Sequence, residues 1–295
     1  MSAPHNPLES PTEPLPDQGP VTEPVSGPST SVVASAAPGA TSLTAVSVPQ
    51  TLPTENPPWS GLDVFILGAV TIFAIFLSMM AVSLIAHLYF ARSTPWVDVA
   101  RRPEVVVISQ VLGYLIVLGL MLRLAHAHGE SAEGAIKWNW PRNWPAFLGF
   151  GILLSITLQL LARLLPMPKT LPIDEFFQTS REAWLLSIFG ITFAPLLEEL
   201  FFRGFLYPVL ARRFSVPTGI IVTGLAFGAI HGAQLKYSWG PVLIIVLVGI
   251  VLTAVRAVRK SVASTFLMHV GYNATLMVAM FVGTDGFRHL EKLQQ

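Results

Sequence analysis

Three long apolar runs between residues 64 and 162 fix most of what the chain can become. They are "VFILGAVTIFAIFLSMMAVSLIA" (Val64 to Ala86), "VVVISQVLGYLIVLGLML" (Val105 to Leu122) and "AFLGFGILLSITLQLLA" (Ala146 to Ala162). Each comes close to or exceeds the roughly 20 residues needed to cross a bilayer core. Lipid offers no partner to a bare backbone amide, so such runs must close their hydrogen bonds internally, as helices. The connections carry the matching punctuation: Arg92, Arg101 and Arg102 in one, and Trp138, Trp140 and Trp144 in the other, where indole rings suit the headgroup level. A composition 52% hydrophobic and only 12% charged agrees with a polytopic membrane protein and not with a soluble domain.

From Leu171 onward the apolar runs shorten and polar residues interrupt them. A fourth helix is expected from about Ala183 to Ala211, kinked or restarted at Pro195, because proline lacks a backbone donor and crowds the preceding turn. A fifth covers Thr218 to about His231, a sixth Pro241 to Val255 and a seventh Val262 to Val282. The expectation is therefore an all-α membrane protein of seven spans, or eight if Pro195 separates two. Arg92, Arg101 and Arg102 after the first span favour an external N-terminus, yet Arg212, Arg213, Arg256, Arg259 and Lys260 then fall outside in a seven-span count. The basic residues thus leave the orientation open.

Residues 1–58 are rich in Pro, Ser, Thr and Ala, carry Glu9, Glu13, Asp17, Glu23 and Glu55, and contain no Lys or Arg. Such a segment buries too little apolar surface to offset its ordering entropy, and it reads as a disordered acidic tail. It has no basic stretch leading into a short apolar core, so it does not read as a cleavable signal peptide. The chain divides into this tail, N-terminal transmembrane helices over 59–170, a polar-interrupted core over 171–285 and a C-terminal tail over 286–295. A formal net charge of +1, with no Lys/Arg-rich stretch, argues against nucleic acid as a partner. The absence of cysteine removes disulfides, thiolate metal sites and a cysteine nucleophile.

The core holds "APLLEELFFRG" (Ala194 to Gly204), where Glu198, Glu199 and Arg203 sit in an apolar helix. Exposing all three to lipid costs on the order of 7 to 10 kcal/mol, so they must face protein or a hydrated cavity. Glu199 and Arg203 are spaced i, i+4 with the acid first, the favourable order for an ion pair. Glu198 is rotated by about 100° from that face and is left free to act elsewhere. In "GLAFGAIHG", Gly224, Gly228 and Gly232 repeat every fourth residue, a stripe that lets another helix come close, and His231 lies beside it. In "STFLMHVGYNATL", His269 and Asn273 are again i, i+4 and share one face.

These residue types permit peptide hydrolysis. A buried Glu beside a His can hold and deprotonate water, while a second His and an Asn amide can donate to the oxyanion formed on attack at a carbonyl. Glu plus two His is also a familiar zinc set, but no His-Glu-x-x-His helix is present and the groups come from three spans, so the reading assigns no metal and no cofactor. A transporter or scaffold, with the charges as proton relay or interhelical ties, is the non-enzymatic alternative.

Taken in order, "EELFFR" (Glu198 to Arg203), "FGAIH" (Phe227 to His231) and "HVGYN" (His269 to Asn273) resemble the Glu-Glu-x-x-x-Arg, Phe-x-x-x-His and His-x-x-x-Asn motifs of the CAAX prenyl endopeptidase and bacteriocin-processing family of intramembrane glutamic proteases. The resemblance covers about Ala183 to Val282. It implies a helical membrane fold around a hydrated cavity, Glu198 and His231 activating water, His269 and Asn273 at the oxyanion, and Glu199 with Arg203 as the family's second glutamate and arginine. The expected substrate is a peptide or membrane protein, prenylated or not, in a bacterial plasma membrane. Family members that serve bacteriocin immunity or scaffolding supply a non-proteolytic alternative.

Overall fold

The computed structural model describes residues 55–127, 131–168 and 170–291, and among these every regular element is helical. The first long helix, α1 (Gly61–Phe90), starts at Ser60, whose hydroxyl accepts from the Asp63 amide while the Asp63 carboxylate accepts from the Ser60 amide. This reciprocal cap satisfies donors that a helix start leaves open. A short α2 (Trp96–Ala100) leads into α3 (Pro103–His126), with proline at its first position, where no amide donor is missed. After α4 (Ala132–Ile136) comes α5 (Trp144–Ala162).

The charged motif lies on a composite helix of α6 (Ser180–Ile191), α7 (Phe193–Glu199), a π-helical stretch over Leu200–Leu206 and α8 (Tyr207–Arg213). Then follow α9 (Val216–Ile230), α10 (Trp239–Arg259) and α11 (Val262–Gly283). Six courses are long and apolar enough to cross a membrane: α1, α3, α5, the 34-residue run Ser180–Arg213, α10 and α11. At 15 residues, α9 is a shorter apolar helix. The protein is an integral membrane protein.

The break expected at Pro195 falls one turn earlier, at Thr192, while Pro195 itself lies inside α7. Proline acts backwards along a helix: its missing N–H and its ring both affect the carbonyl four residues before it, here Ile191. The break does not divide the run into two spans. Pro208 stands in the same relation to Gly204, and the turn before it opens to π geometry.

Glycines bring two pairs of helices to backbone contact. A Cβ on Gly151 of α5 would lie 2.0 Å from the Met268 carbonyl of α11, and one on Gly271 would lie 2.4 Å from the Leu148 carbonyl. Gly224 and Gly228 of α9 meet Ile250 and Val246 of α10 in the same way. The third member of the stripe, Gly232, lies past the end of α9 and faces Tyr237 instead, so the helix contact is two glycines long.

Residues 1–54 of the expected tail lie outside the described residues; of 55–58, Glu55 and Pro57 are buried and Asn56 is exposed. The Glu55 carboxylate is buried among Lys137, Arg256 and Lys260. Burial alone would raise its pKa, but Arg256, Lys260 and Lys137 outweigh that and hold it below the usual carboxylate range. At the other end, Phe287 and Leu290 are buried against Phe177 and Ala183, so 286–291 folds back; 292–295 lie outside the described residues.

Candidate active site

Three of the motif helices deliver their polar residues to one place. Glu198 and Glu199 end α7, His231 caps the C-terminus of α9, and His269 projects from the second turn of α11. Glu198 Oε1 lies 3.8 Å from His231 Nε2, and Glu198 Oε2 lies 3.7 Å from His269 Nε2. Both separations are longer than a direct hydrogen bond. The side chains of Glu198 and His231 retain 16% and 19% exposure, so the pair is reachable.

Glu199 is sealed where Glu198 is open. It pairs with Arg203 at 2.8 Å, and neither side chain has any exposure. The same Oε1 accepts from His269 Nδ1 at 2.9 Å. Arg203 donates its other terminal nitrogen to the Gly249 carbonyl of α10 at 3.0 Å and stands 4.6 Å over the Phe227 ring. The brace expected from the i, i+4 spacing is present, and the structure adds what spacing could not show: His269 joins it, and α10 supplies a carbonyl.

The histidine tautomers follow from their partners. His231 Nδ1 is 2.8 Å from the Phe227 carbonyl, which can only accept, so Nδ1 carries hydrogen and the neutral ring presents a lone pair at Nε2 toward Glu198. His269 Nδ1 likewise donates to the Glu199 carboxylate, leaving Nε2 directed at Glu198. The Phe227 ring packs against both imidazoles, with centroids 4.9 Å from His231 and 5.7 Å from His269. The motif phenylalanine therefore orients His231 through its backbone and walls the site with its ring.

Asn273 sits one turn beyond His269, and its Nδ2 donates to the Gly190 carbonyl near the end of α6 at 2.6 Å. That bond uses one of two amide hydrogens and ties α11 to α6. No signal in the sequence marks Gly190 or Gly249 as partners, because both contribute only a backbone carbonyl. Among the described residues, no group of three or more His, Cys, Asp or Glu is arranged to hold a metal ion.

Residues 180–275 match the family described as type II CAAX prenyl endopeptidase Rce1-like. That interval contains Glu198, Glu199, Arg203, His231, His269 and Asn273. Neither a curated protein nor a solved structure matches the chain.

Proposed function

Through residues 180–275 the chain belongs to the family of type II CAAX prenyl endopeptidases, and from that premise we propose that it is an intramembrane glutamic endopeptidase. The observation that carries the reading is the placement of Glu198, a reachable carboxylate opposite two imidazole nitrogens at 3.7 and 3.8 Å. Water between Glu198 and His231 meets two acceptors and can give one hydrogen bond to each. Glu198 takes its proton as general base, and the resulting hydroxide adds to the peptide carbonyl. The oxyanion then accepts from Asn273 Nδ2, through the hydrogen not given to Gly190, and from His269 Nε2. For that second bond the His269 ring must carry both hydrogens, since Nδ1 is already donating. Collapse of the tetrahedral intermediate breaks the C–N bond, and Glu198 returns its proton to the leaving amine. Glu199 and Arg203 touch no substrate in this scheme; they hold His269 in place.

The substrate is a peptide or membrane protein whose scissile bond enters between α7, α9 and α11, and family membership makes a prenylated C-terminal segment the first class to test. Purified full-length protein in detergent, offered prenylated and unprenylated peptides, should cleave; Glu198→Gln should lower turnover on the order of 10²- to 10⁴-fold with folding intact. Cleavage at the wild-type rate by Glu198→Gln sinks the mechanism. Binding of the peptides without cleavage favours a non-proteolytic role for the same site.

A further inference from the structure

The six residues that precede α1 make contacts out of proportion to their number. The Trp59 ring, 1% exposed, stacks on Phe205 with centroids 4.3 Å apart and planes inclined by 26°. Its indole N–H donates to the Phe205 carbonyl at 3.1 Å across 146 residues of sequence. Phe205 lies inside the π-helical stretch, two residues after Arg203. The backbone of this strap is bolted down as well, since Arg212 of α8 donates to the Pro57 carbonyl at 2.6 Å and the Trp59 carbonyl at 2.8 Å.

The strap's first residue fastens it to a second element. Glu55 bonds Arg256 of α10 at 3.3 Å and Lys137, which follows α4, at 3.2 Å, and Lys260 completes the set. Arg256 lies two turns beyond Gly249, whose carbonyl receives Arg203. The guanidinium of Arg256 also covers Tyr207, the first residue of α8 and the one that follows the π-helical stretch, at 5.6 Å from its ring centroid. One six-residue segment thus grips both sides of the Arg203 seat: the widened turn that carries the arginine and the helix that supplies its acceptor.

A π-helical turn is a rare and poorly self-supporting geometry, and it persists where outside contacts hold it. We propose that Glu55–Ser60 is a positioning strap for the site, in which Trp59 and Glu55 fix the π-helical turn so that Arg203, Glu199 and His269 stay in line behind Glu198. Trp59 and Glu55 are positioning residues, because they reach the reacting groups only through Phe205, Tyr207 and α10. The strap lies outside the interval that matches the family. The proposal builds on the hydrolytic reading of Glu198, and one arm of its test is independent of that reading.

The test uses full-length protein in detergent micelles and the variants Trp59→Phe, which keeps a ring and loses the N–H, and Glu55→Gln. The first readout is the ring-nitrogen spectrum of 15N-labelled histidine, with His269 identified from its loss in His269→Gln and the exposed His289 as internal reference. Both variants should move the His269 signals and leave His289 unchanged. The second readout is peptide turnover, which should fall on the order of 10- to 100-fold with KM unchanged, as expected when catalytic groups are slightly misplaced. A lowered thermal midpoint with wild-type His269 signals and wild-type turnover overturns the proposal, because the strap is then only a fastening. If Trp59→Phe fails to fold, Glu55→Gln decides by the same criteria. If the wild-type protein cleaves nothing, the hydrolytic reading has failed and the His269 spectrum alone decides: movement supports the strap, and no movement overturns it.

Discussion

Glu199 and Arg203 form an ion pair 2.8 Å long with no solvent exposure on either side chain, on a largely apolar helix that presents Glu198 on a different face. Removing one partner of such a pair strands a buried charge, at a cost of about 3 to 5 kcal/mol. Arg203→Met and Glu199→Gln should each destabilise the protein on that scale, and the double variant should recover part of the loss. A double-mutant cycle on denaturation in detergent measures this, and strictly additive losses would rule out the coupling.

The contact between α5 and α11 gives a second prediction. Gly271→Ala would place a methyl group 2.4 Å from the Leu148 carbonyl, and Gly151→Ala 2.0 Å from that of Met268. Each should cost about 1 to 3 kcal/mol by overpacking and shift the adjacent His269. Gly119 of α3 has nothing within 4 Å of a built Cβ, so Gly119→Ala should be neutral or slightly stabilising by thermal unfolding. Equal behaviour of the three variants would contradict the close approach.

Asn273 is expected to show its two bonds in two different measurements. Asn273→Leu leaves the Gly190 carbonyl without its donor and should lower stability by about 1 to 3 kcal/mol. Loss of the oxyanion donor should lower kcat on the order of 10²- to 10³-fold with little change in KM. A stability loss with kcat unchanged would leave Asn273 as a tie between α11 and α6 and nothing more.

The buried carboxylate of Glu55 makes stability depend on pH in a defined direction. Its pKa in the folded protein is held below the ordinary carboxylate range, so the unfolded chain binds its proton more tightly. The stabilisation is fully present above that ordinary range and is lost as pH falls through the lowered folded value. Thermal midpoints of wild type and Glu55→Gln should differ at neutral pH and converge as the solution is acidified. The groups around Glu55 that set this behaviour are Arg256, Lys260 and Lys137. A difference that stays constant down to strongly acidic pH would place the effect elsewhere.

The proposed mechanism also makes a statement about metals. Peptide cleavage should proceed unchanged after exhaustive treatment with a chelator, because in this scheme Glu198 carries the proton transfers while His231 holds the water and His269 the oxyanion. Activity abolished by the chelator and restored by zinc would replace the glutamic mechanism with a metal-dependent one.

Much of this was legible in the chain because it depends on spacing. The apolar runs located the helices, and the i, i+4 relation of Glu199 to Arg203 foretold their bond. The glycine stripe of α9 announced a close neighbour, and the helix end expected at about His231 already left Gly232 beyond it. What spacing could not reveal is what the fold joins at long range. Glu55 stands in a proline-rich, acidic segment with no pattern around it, and its partners Lys137 and Lys260 lie 82 and 205 residues away. His269 reaches Glu199 across 70 residues, and the acceptor for Arg203 is a glycine carbonyl that no side-chain pattern can flag. Pro208, four residues after Gly204, was the one local hint of the widened turn.

That widened turn works as a phase shifter. A regular α-helix advances about 100° with each residue, so a turn that takes in an additional residue rotates everything after it relative to everything before. The leading half of the span aims Glu198 and Glu199 at the two histidines, and the trailing half aims Phe205 and Arg212 at Trp59. Deleting a single residue between 200 and 206 would restore a uniform helix and swing one of these two faces out of register. The halves of this helix are keyed to each other like an offset coupling, and neither can be transplanted into a straight helix with both sets of partners kept.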